Sequence, residues 1–458
     1  MNSLPAHARW LPRERDVATQ SVRPRLLLLT QEFPPRVSVG AARWEGFAPF
    51  LDAAGWAMDV VMEDPADESN PDWGRFQRLP DDVRVATCRR LSPKWYRVLR
   101  RARGAEPITK SDAAPISAVS AGDSGGLAAV AREAMQILVS ASQSSTLAHE
   151  FADTAHALFD GRQRIVASSG PSHYVHVAAA EVAHRHNIPH VVDMRDPWAR
   201  FAPPSSAERV LPDDQLRGME AATLQRAALI ITNTQSAADV LATRFPQLRD
   251  RICSVPNGSD VEPILAPPVC SNVFQIAHTG ALYLDRDPRS FMRAVARVRT
   301  SLGLDASTLR VIFMGQKAMI NGQTLAELAT QAGIGDLFEE RAAGTREEAR
   351  QLMRDSMMAV AFQGATKTQV PAKIFEYVAF PVWLLALVGT DSASGELLAN
   401  SDALVYSIDD EDATAKGIEN AYLKFRAGEM PRPVGYDGRF SRKKQAERLI
   451  LELEQLMK

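Results

Sequence analysis

The chain alternates short apolar runs with stretches of helical spacing along most of its length. Parallel strands need a crossover between neighbours, and a helix supplies it, so this alternation points to parallel sheets built from strand–helix–strand units. In the first half, runs at 26–30, 59–62, 165–168, 190–193, 229–232 and 252–255 read as strands. Helical stretches at 172–186, 213–226 and 236–245 lie between them. Pro263, Pro267 and Pro268 then interrupt the pattern as a linker would. A second set of strands follows at 274–278, 309–314, 359–362, 382–388 and 404–406, with helices starting near Pro288, Asn321, Arg346 and Pro371. The expected fold is α/β: two doubly wound, Rossmann-like domains with ligand at the carboxyl ends of the strands and in an interdomain cleft.

The expected boundaries are a loose extension at 1–22, a first domain at 23–262, a second at 263–435 and a packed terminal helix at 436–458. Ala446, Leu449, Ile450 and Leu453 recur at helical spacing behind Ser441, a suitable N-cap. Residues 104–126, rich in Ala, Ser and Gly, read as a flexible insertion.

A net charge of −2 gives no global basic field, so nucleic acid is not an expected partner. Cys88, Cys253 and Cys270 lack the spacing of a zinc site or a disulfide framework, and a reducing, cytoplasmic setting is expected. No run is long enough for a membrane span, and no apolar core follows the basic N-terminal residues as it would in a signal peptide.

The segment 370–377, Val-Pro-Ala-Lys-Ile-Phe-Glu-Tyr, lies between two strand-like runs. Proline favours the first turn of a helix, whose free N–H groups attract anions. Lys373 falls in that first turn, and Glu376 one turn on is set to accept hydroxyl hydrogen bonds. The pair suits a nucleoside diphosphate and its ribose; a proline-capped helix with solvated charges is the plainer reading.

After the first strand, Phe33-Pro34-Pro35 leads to Gly40, which would let a ligand approach the backbone. This is not the dinucleotide fingerprint. The small-residue loop at 168–172, with Ser169, suits a phosphate or sugar, and His173 and His176 follow it. With His184 and His186 they spread around a helix and form no metal cluster. Asp193-Met194-Arg195-Asp196-Pro197-Trp198 ends a strand. Its charges read equally well as a structural ion pair around Arg195 or as acceptor-side groups beside the flat Trp198. Asn257-Gly258 is a turn signal at the expected domain junction. In 278–288, Gly280 permits a tight turn and Arg286 suits a diphosphate. Asp285-Arg286-Asp287 has D-x-D form, but Pro288 makes Asp287 a helix cap rather than a metal ligand. Residues 94–103 combine aromatics with five cations; they read either as a contact with an anionic membrane or lipid-linked acceptor, or as a solvated helix packed on the first domain.

Taken in order, the Phe-Pro-Pro…Gly, Ser-Gly-Pro, Asp-x-Arg-Asp-Pro-Trp, Pro-Asn-Gly-x-Asp, Thr-Gly-x-Leu-Tyr and Pro-x-Lys-x-Phe-Glu-Tyr motifs resemble those of GT-B glycosyltransferases of family 4, from about residue 24 to 455. The resemblance implies that the second domain binds a nucleotide sugar through Gly280, Arg286, Lys373 and Glu376, with Gly40 beside them. It implies acceptor contacts at Ser169, His173, Arg195, Asp196 and Trp198, and catalytic roles for Asp196, Arg286 and Lys373. Transfer with retention, no metal and no cofactor are the further implications. Two positions depart from the family: Ala281 where an arginine is common, and Thr368 where a second glutamate often stands. The expected activity is transfer of a hexose-type sugar from a nucleoside diphosphate to a glycan, lipid-linked or small-molecule acceptor, in the cytoplasm or peripheral to the inner face of the membrane. A nucleotide-sugar 2-epimerase and a non-catalytic sugar-nucleotide-binding protein are the alternatives.

Overall fold

The computed structural model describes residues 3–12, 22–89, 145–196, 198, 213–266, 272–282, 286–364 and 366–458. The membrane contact at 94–103, the insertion at 104–126 and positions Pro197, Pro267, Pro268, Cys270 and Asp285 lie outside the described residues. The chain divides into two compact units. The first comprises Met1–Asn233, Ala238–Val255 and Ala446–Lys458, the second Thr234–Ala237 and Pro256–Gln445.

The first unit carries β1 (Ala8–Trp10), β2 (Arg25–Thr30), β3 (Ala57–Glu63), β4 (Val83–Cys88), β5 (Gln163–Gly170), β6 (His190–Met194), β7 (Leu229–Thr232) and β8 (Ile252–Ser254). They form one sheet in the order β1-β4-β3-β2-β5-β6-β7-β8, parallel throughout except for β1 against β4. Every residue of β2 is buried. Leu26 and Leu28 enter one core and Leu27 and Leu29 another, which is why the run reads as continuously apolar: both faces of the sheet are covered. The strand order reverses between β2 and β5, as in doubly wound sheets.

One expectation is corrected here, and one unexpected strand is added. Residues 1–22 are not merely a loose extension, because Ala8–Trp10 closes the edge of the sheet. The strand at 83–88 escapes an apolar-run reading because it contains Arg84, a buried residue whose guanidinium pairs with Asp59. Asp59 is itself fully buried and also pairs with Arg25.

The second unit carries β9 (Phe274–Thr279), β10 (Leu309–Gly315), a small hairpin of β11 (Met319–Ile320) and β12 (Gln323–Thr324), then β13 (Phe338–Ala342), β14 (Met358–Phe362), β15 (Trp383–Leu387) and β16 (Leu404–Tyr406). Its main sheet runs β13-β10-β9-β14-β15-β16, all parallel. β13 carries Glu339, Glu340 and Arg341, the charged dress of an edge strand, and so gives no apolar signal. Asn321 belongs to the hairpin turn rather than to a helix; the helix Leu325–Gln331 starts later, behind a capping box of Thr324 and Glu327.

The terminal helix Arg442–Gln455 follows Ser441, whose hydroxyl accepts from the Lys444 N–H at 3.3 Å. Ala446, Leu449 and Leu453 are buried in the first unit's core with Leu26, Trp44 and Phe47.

Candidate functional site

In the second unit the sheet reverses direction at β9, between β10 and β14. In such sheets the crevice at the strands' carboxyl ends is the expected ligand position. The β9–β14 ladder is short: Met358 pairs with Ile276 and Ala359 with Ala277, and no further pair is formed. The next residue of β9, His278, spans the widening gap with its side chain. Its Nδ1 lies 2.9 Å from the Val360 carbonyl oxygen. A carbonyl only accepts, so Nδ1 carries the proton and Nε2 presents a lone pair. His278 is 5% exposed, and Nε2 has no hydrogen-bond partner among the described residues. Burial, with the cations of Lys373 and Arg286 nearby, pushes its pKa down to about 4, against the opposing effect of the Val360 bond. The ring is therefore neutral at physiological pH.

Above His278 the chain turns at Gly280, whose φ of +131° is a conformation that L side chains rarely adopt. The turn is crowded from the next strand as well: a Cβ on Gly315 would stand 2.0 Å from the Gly280 carbonyl oxygen. Tyr377, buried at the end of the helix Ala372–Tyr377, fastens the turn to that helix. Its phenol accepts from the Thr279 N–H at 2.7 Å and donates to the Thr279 carbonyl at 3.0 Å. This clasp brings Lys373 over Gly280. A Cβ at Gly280 would lie 3.4 Å from Lys373 Cε. Lys373 Nζ in turn donates to Glu376 Oε2 at 2.7 Å. Gly280, Lys373 and Glu376 thus assemble at one place, with Arg286 close enough for its charge to act on His278. A small cavity lined by His278, Gly280, Phe313, Gly315, Gln316 and Glu340 opens beside them.

The helix is only six residues long, with Pro371 in the N-cap position. An anion socket made by a helix dipole is therefore a weaker account of this site than the side chains themselves. Pro288, not Asp287, is the N-cap of the helix Arg289–Leu302; Asp287 stands one residue before it, and its Oδ1 accepts from the Arg289 N–H at 3.0 Å.

In the first unit, the residues expected on the acceptor side meet around the ends of β5 and β6. Asp193 is fully buried and accepts from Arg43 Nη2 at 2.9 Å, Trp44 Nε1 at 2.8 Å and Ser169 Oγ at 2.8 Å. Its partner is Arg43, not Arg195. Arg195 instead donates to the carbonyls of Gly170, at 2.9 Å, and Pro171, at 3.2 Å. Its guanidinium fills the space where Gly40 would carry a side chain: a Cβ there would stand 2.3 Å from Arg195 Nη1. Gly40, expected to make room for a ligand, makes room for an arginine. It lies in the first turn of the helix Val39–Ala53, behind the Ser38 N-cap.

Ser169 spends its proton on Asp193. His173 stacks on Trp198, ring centroids 4.8 Å apart at 15°. His176 Nδ1 lies 2.8 Å from Ser168 Oγ, which lies 2.9 Å from His190 Nε2, a buried chain behind the loop. Burial holds His176 well below the usual histidine range and takes His190 down to about 3. Asp196 is part-exposed just past β6. A second polar group escaped the sequence reading. At the end of β2, Gln31 donates to Glu63 Oε2 and accepts from Ser172 Oγ, both at 2.9 Å, where this unit's strand order reverses. Nothing in the spacing of Gln31, Glu63 and Ser172 announces that they meet. Among the described residues no group of three or more His, Cys, Asp or Glu is arranged to hold a metal ion, and no helix is long and apolar enough to cross a membrane.

No protein-family profile and no curated protein sequence matches the chain. Solved structures do. A glycosyltransferase from Rickettsia africae is similar at 10% identity and a TM-score of 0.56, over 95% of this chain and 99% of that one. A sucrose-phosphate synthase from Thermosynechococcus elongatus is similar at 13% identity and a TM-score of 0.58, over 95% and 99%. HepE of Anabaena, solved with UDP and glucose, is similar at 12% identity and a TM-score of 0.53, over 94% and 100%. Likeness at such identities speaks for the fold, and the fold is GT-B: two Rossmann-like units in one chain.

Proposed function

We propose that the protein is a glycosyltransferase that moves a hexose-type sugar from a nucleoside diphosphate to a glycan, lipid-linked or small-molecule acceptor, with retention of configuration. One observation carries the reading: Gly280, Lys373 and Glu376 converge at the strand reversal of the second unit, with Arg286 close by. Fold similarity to a protein solved with UDP and glucose adds to it and puts UDP-sugars first among donors.

The chemistry follows from charge. As the glycosidic bond breaks, negative charge grows on the departing diphosphate, and fixed cations that meet it there lower the barrier. Arg286 and Lys373 take that part. Glu376 accepts hydroxyl hydrogen bonds from the ribose while sharing its other contacts with Lys373. In the first unit, Asp196 orients the acceptor hydroxyl or assists its deprotonation, while His173 and Trp198, both buried, back the loop as a stacked pair. Ser169 and Arg195 shape this loop through the bonds described above rather than by reaching an acceptor themselves.

A thermal-shift screen across UDP-, GDP-, dTDP- and ADP-sugars tests the donor assignment, since a ligand of the native state raises its apparent stability. Glu376→Ala is expected to weaken the selected donor by about 1.5–3 kcal/mol, the scale of hydrogen bonds to a charged group. Unchanged affinity removes Glu376 from the site. Product analysis then separates the alternatives: conversion of the sugar nucleotide without added acceptor indicates an epimerase, and binding without turnover across broad acceptor panels indicates a non-catalytic protein.

A further inference from the structure

Among the groups at the second unit's strand reversal, His278 has no part in the reading above, and the fold holds it in a costly state. A buried imidazole nitrogen left without a partner gives up its hydrogen bond to water and gets nothing in return. Nε2 is such an atom, in a residue that lines the cavity beside Gly280. The cost is not a side effect of packing an aromatic ring, because the ring is anchored. The Nδ1–H bond to Val360, just where β9 and β14 part, fixes both the orientation of the ring and the tautomer. Phe313 and Phe362 pack around it, with ring centroids 5.3 Å away in each case.

We infer that His278 is a specificity-determining residue of this site, whose Nε2 accepts a hydrogen bond from an O–H or N–H group of the bound nucleotide sugar. The inference rests on the donor assignment proposed above. A neutral ring with its proton on Nδ1 offers only a lone pair at Nε2, and diphosphate oxygens offer only lone pairs in return. Phosphate is thus the wrong partner for this atom, although both neighbouring cations suit phosphate well. A group that carries hydrogen is the right partner, and the hydroxyls of the sugar and of the ribose are the sources on either side of the diphosphate. A buried acceptor of this kind discriminates, since an analogue lacking the hydrogen leaves Nε2 unsatisfied inside the complex.

The test compares variants against three probes by calorimetry: the sugar nucleotide that most stabilises the parent in the screen above, its bare nucleoside diphosphate, and inorganic pyrophosphate. His278→Asn removes Nε2 but keeps an amide N–H within reach of Val360, so the strand junction retains its bond. His278→Gln puts an amide oxygen near the Nε2 position. His278→Asn is expected to weaken the sugar nucleotide about three- to tenfold, the scale of one neutral hydrogen bond, and to leave pyrophosphate unchanged. His278→Gln should restore much of the loss. A loss seen with the sugar nucleotide alone assigns the hydrogen to the sugar, and an equal loss with the nucleoside diphosphate assigns it to the nucleoside; either supports the inference. Unchanged binding of all three probes overturns it, as does a loss that includes pyrophosphate, which would make His278 a phosphate donor. If the parent binds no sugar nucleotide, the functional reading fails and takes this inference with it. If the parent binds and His278→Asn binds equally well, only the inference fails.

Discussion

The guanidinium of Arg195 occupies the volume that a side chain on Gly40 would fill, 2.3 Å from the position of the missing Cβ. Arg195 is held there by the carbonyls of Gly170 and Pro171. A helical glycine ordinarily gains about 0.5–1 kcal/mol on replacement by alanine. Gly40→Ala should instead destabilise the first unit by about 1–2 kcal/mol, the scale of a displaced buried hydrogen-bonding group. In an Arg195→Ala background the same change should become neutral or stabilising. Urea denaturation of the four proteins in a double-mutant cycle checks this, and additive effects would mean the two residues do not share that space.

Asp193 locks three elements through one carboxylate, the helix Val39–Ala53 through Arg43 and Trp44, β5 through Ser169 and its own strand β6, and Arg43 adds the Val255 carbonyl. Asp193→Asn removes the carboxylate charge that faces the buried Arg43 guanidinium. The expected cost is about 3–5 kcal/mol, read from the urea midpoint of the first unit. A midpoint unchanged within error would show that Arg43 finds other compensation.

Arg286→Ala is expected to reduce kcat by about a hundredfold while changing the affinity for the bare nucleoside much less, because leaving-group charge is largest in the transition state. Steady-state kinetics beside calorimetry separate the two. Equal losses in both would make Arg286 a ground-state binding residue.

Acid should weaken the first unit between pH 6.5 and 4.5. His190 and His176 have folded-state pKa values below the usual 6.5, so over this range the unfolded chain takes up protons that the folded one refuses. Stability carried by these residues is present above pH 6.5 and falls as the pH falls. For His190, with a pKa of about 3, the loss at pH 5 is about 2 kcal/mol. Glu150 works in the opposite sense: burial and the neighbouring Asp153 raise its pKa to about 7, so its contribution is largest in acid and fades as the pH rises. His156, His186 and Asp160, whose pKa values also lie below their usual ranges, act with the two histidines, so against the one carboxylate a net loss remains on acidification. Urea midpoints at pH 7 and pH 5 measure it, and Glu150→Gln, which removes the opposing group, should steepen the dependence. A midpoint independent of pH would contradict the sign.

Much of the fold could be read from the chain, because strands buried on both faces announce themselves as continuous apolar runs. The elements that escaped are those stabilised by charge or position rather than by apolar content: β4 with the buried Arg84–Asp59 pair, the charged edge strand β13, and the three-residue β1. At the site, Gly280, Lys373 and Glu376 were legible because they sit in short motifs. The partners of Arg195 and Asp193 were not: Gly40 and Arg43 lie about 150 residues away, and only the folded sheet brings them near. His278 was visible as a letter two places before a glycine. Its meaning depends on the parting of β9 from β14, a matter of strand geometry that no local pattern encodes.

Ala446, Leu449 and Leu453 bear on how the protein is made. Burying two leucines is worth about 3–6 kcal/mol, a sizeable part of the 5–15 kcal/mol that separates most native domains from their unfolded chains. A ribosome translating this message releases the strands of the first unit early, but the residues that seal their core follow the whole of the second unit. The nascent first unit must wait, with part of its apolar face uncovered, while the second unit can already close. The helix Arg442–Gln455 therefore acts as a checkpoint, because a product cut short just before it would keep a finished second unit and an open first one, a substrate for chaperones and proteases.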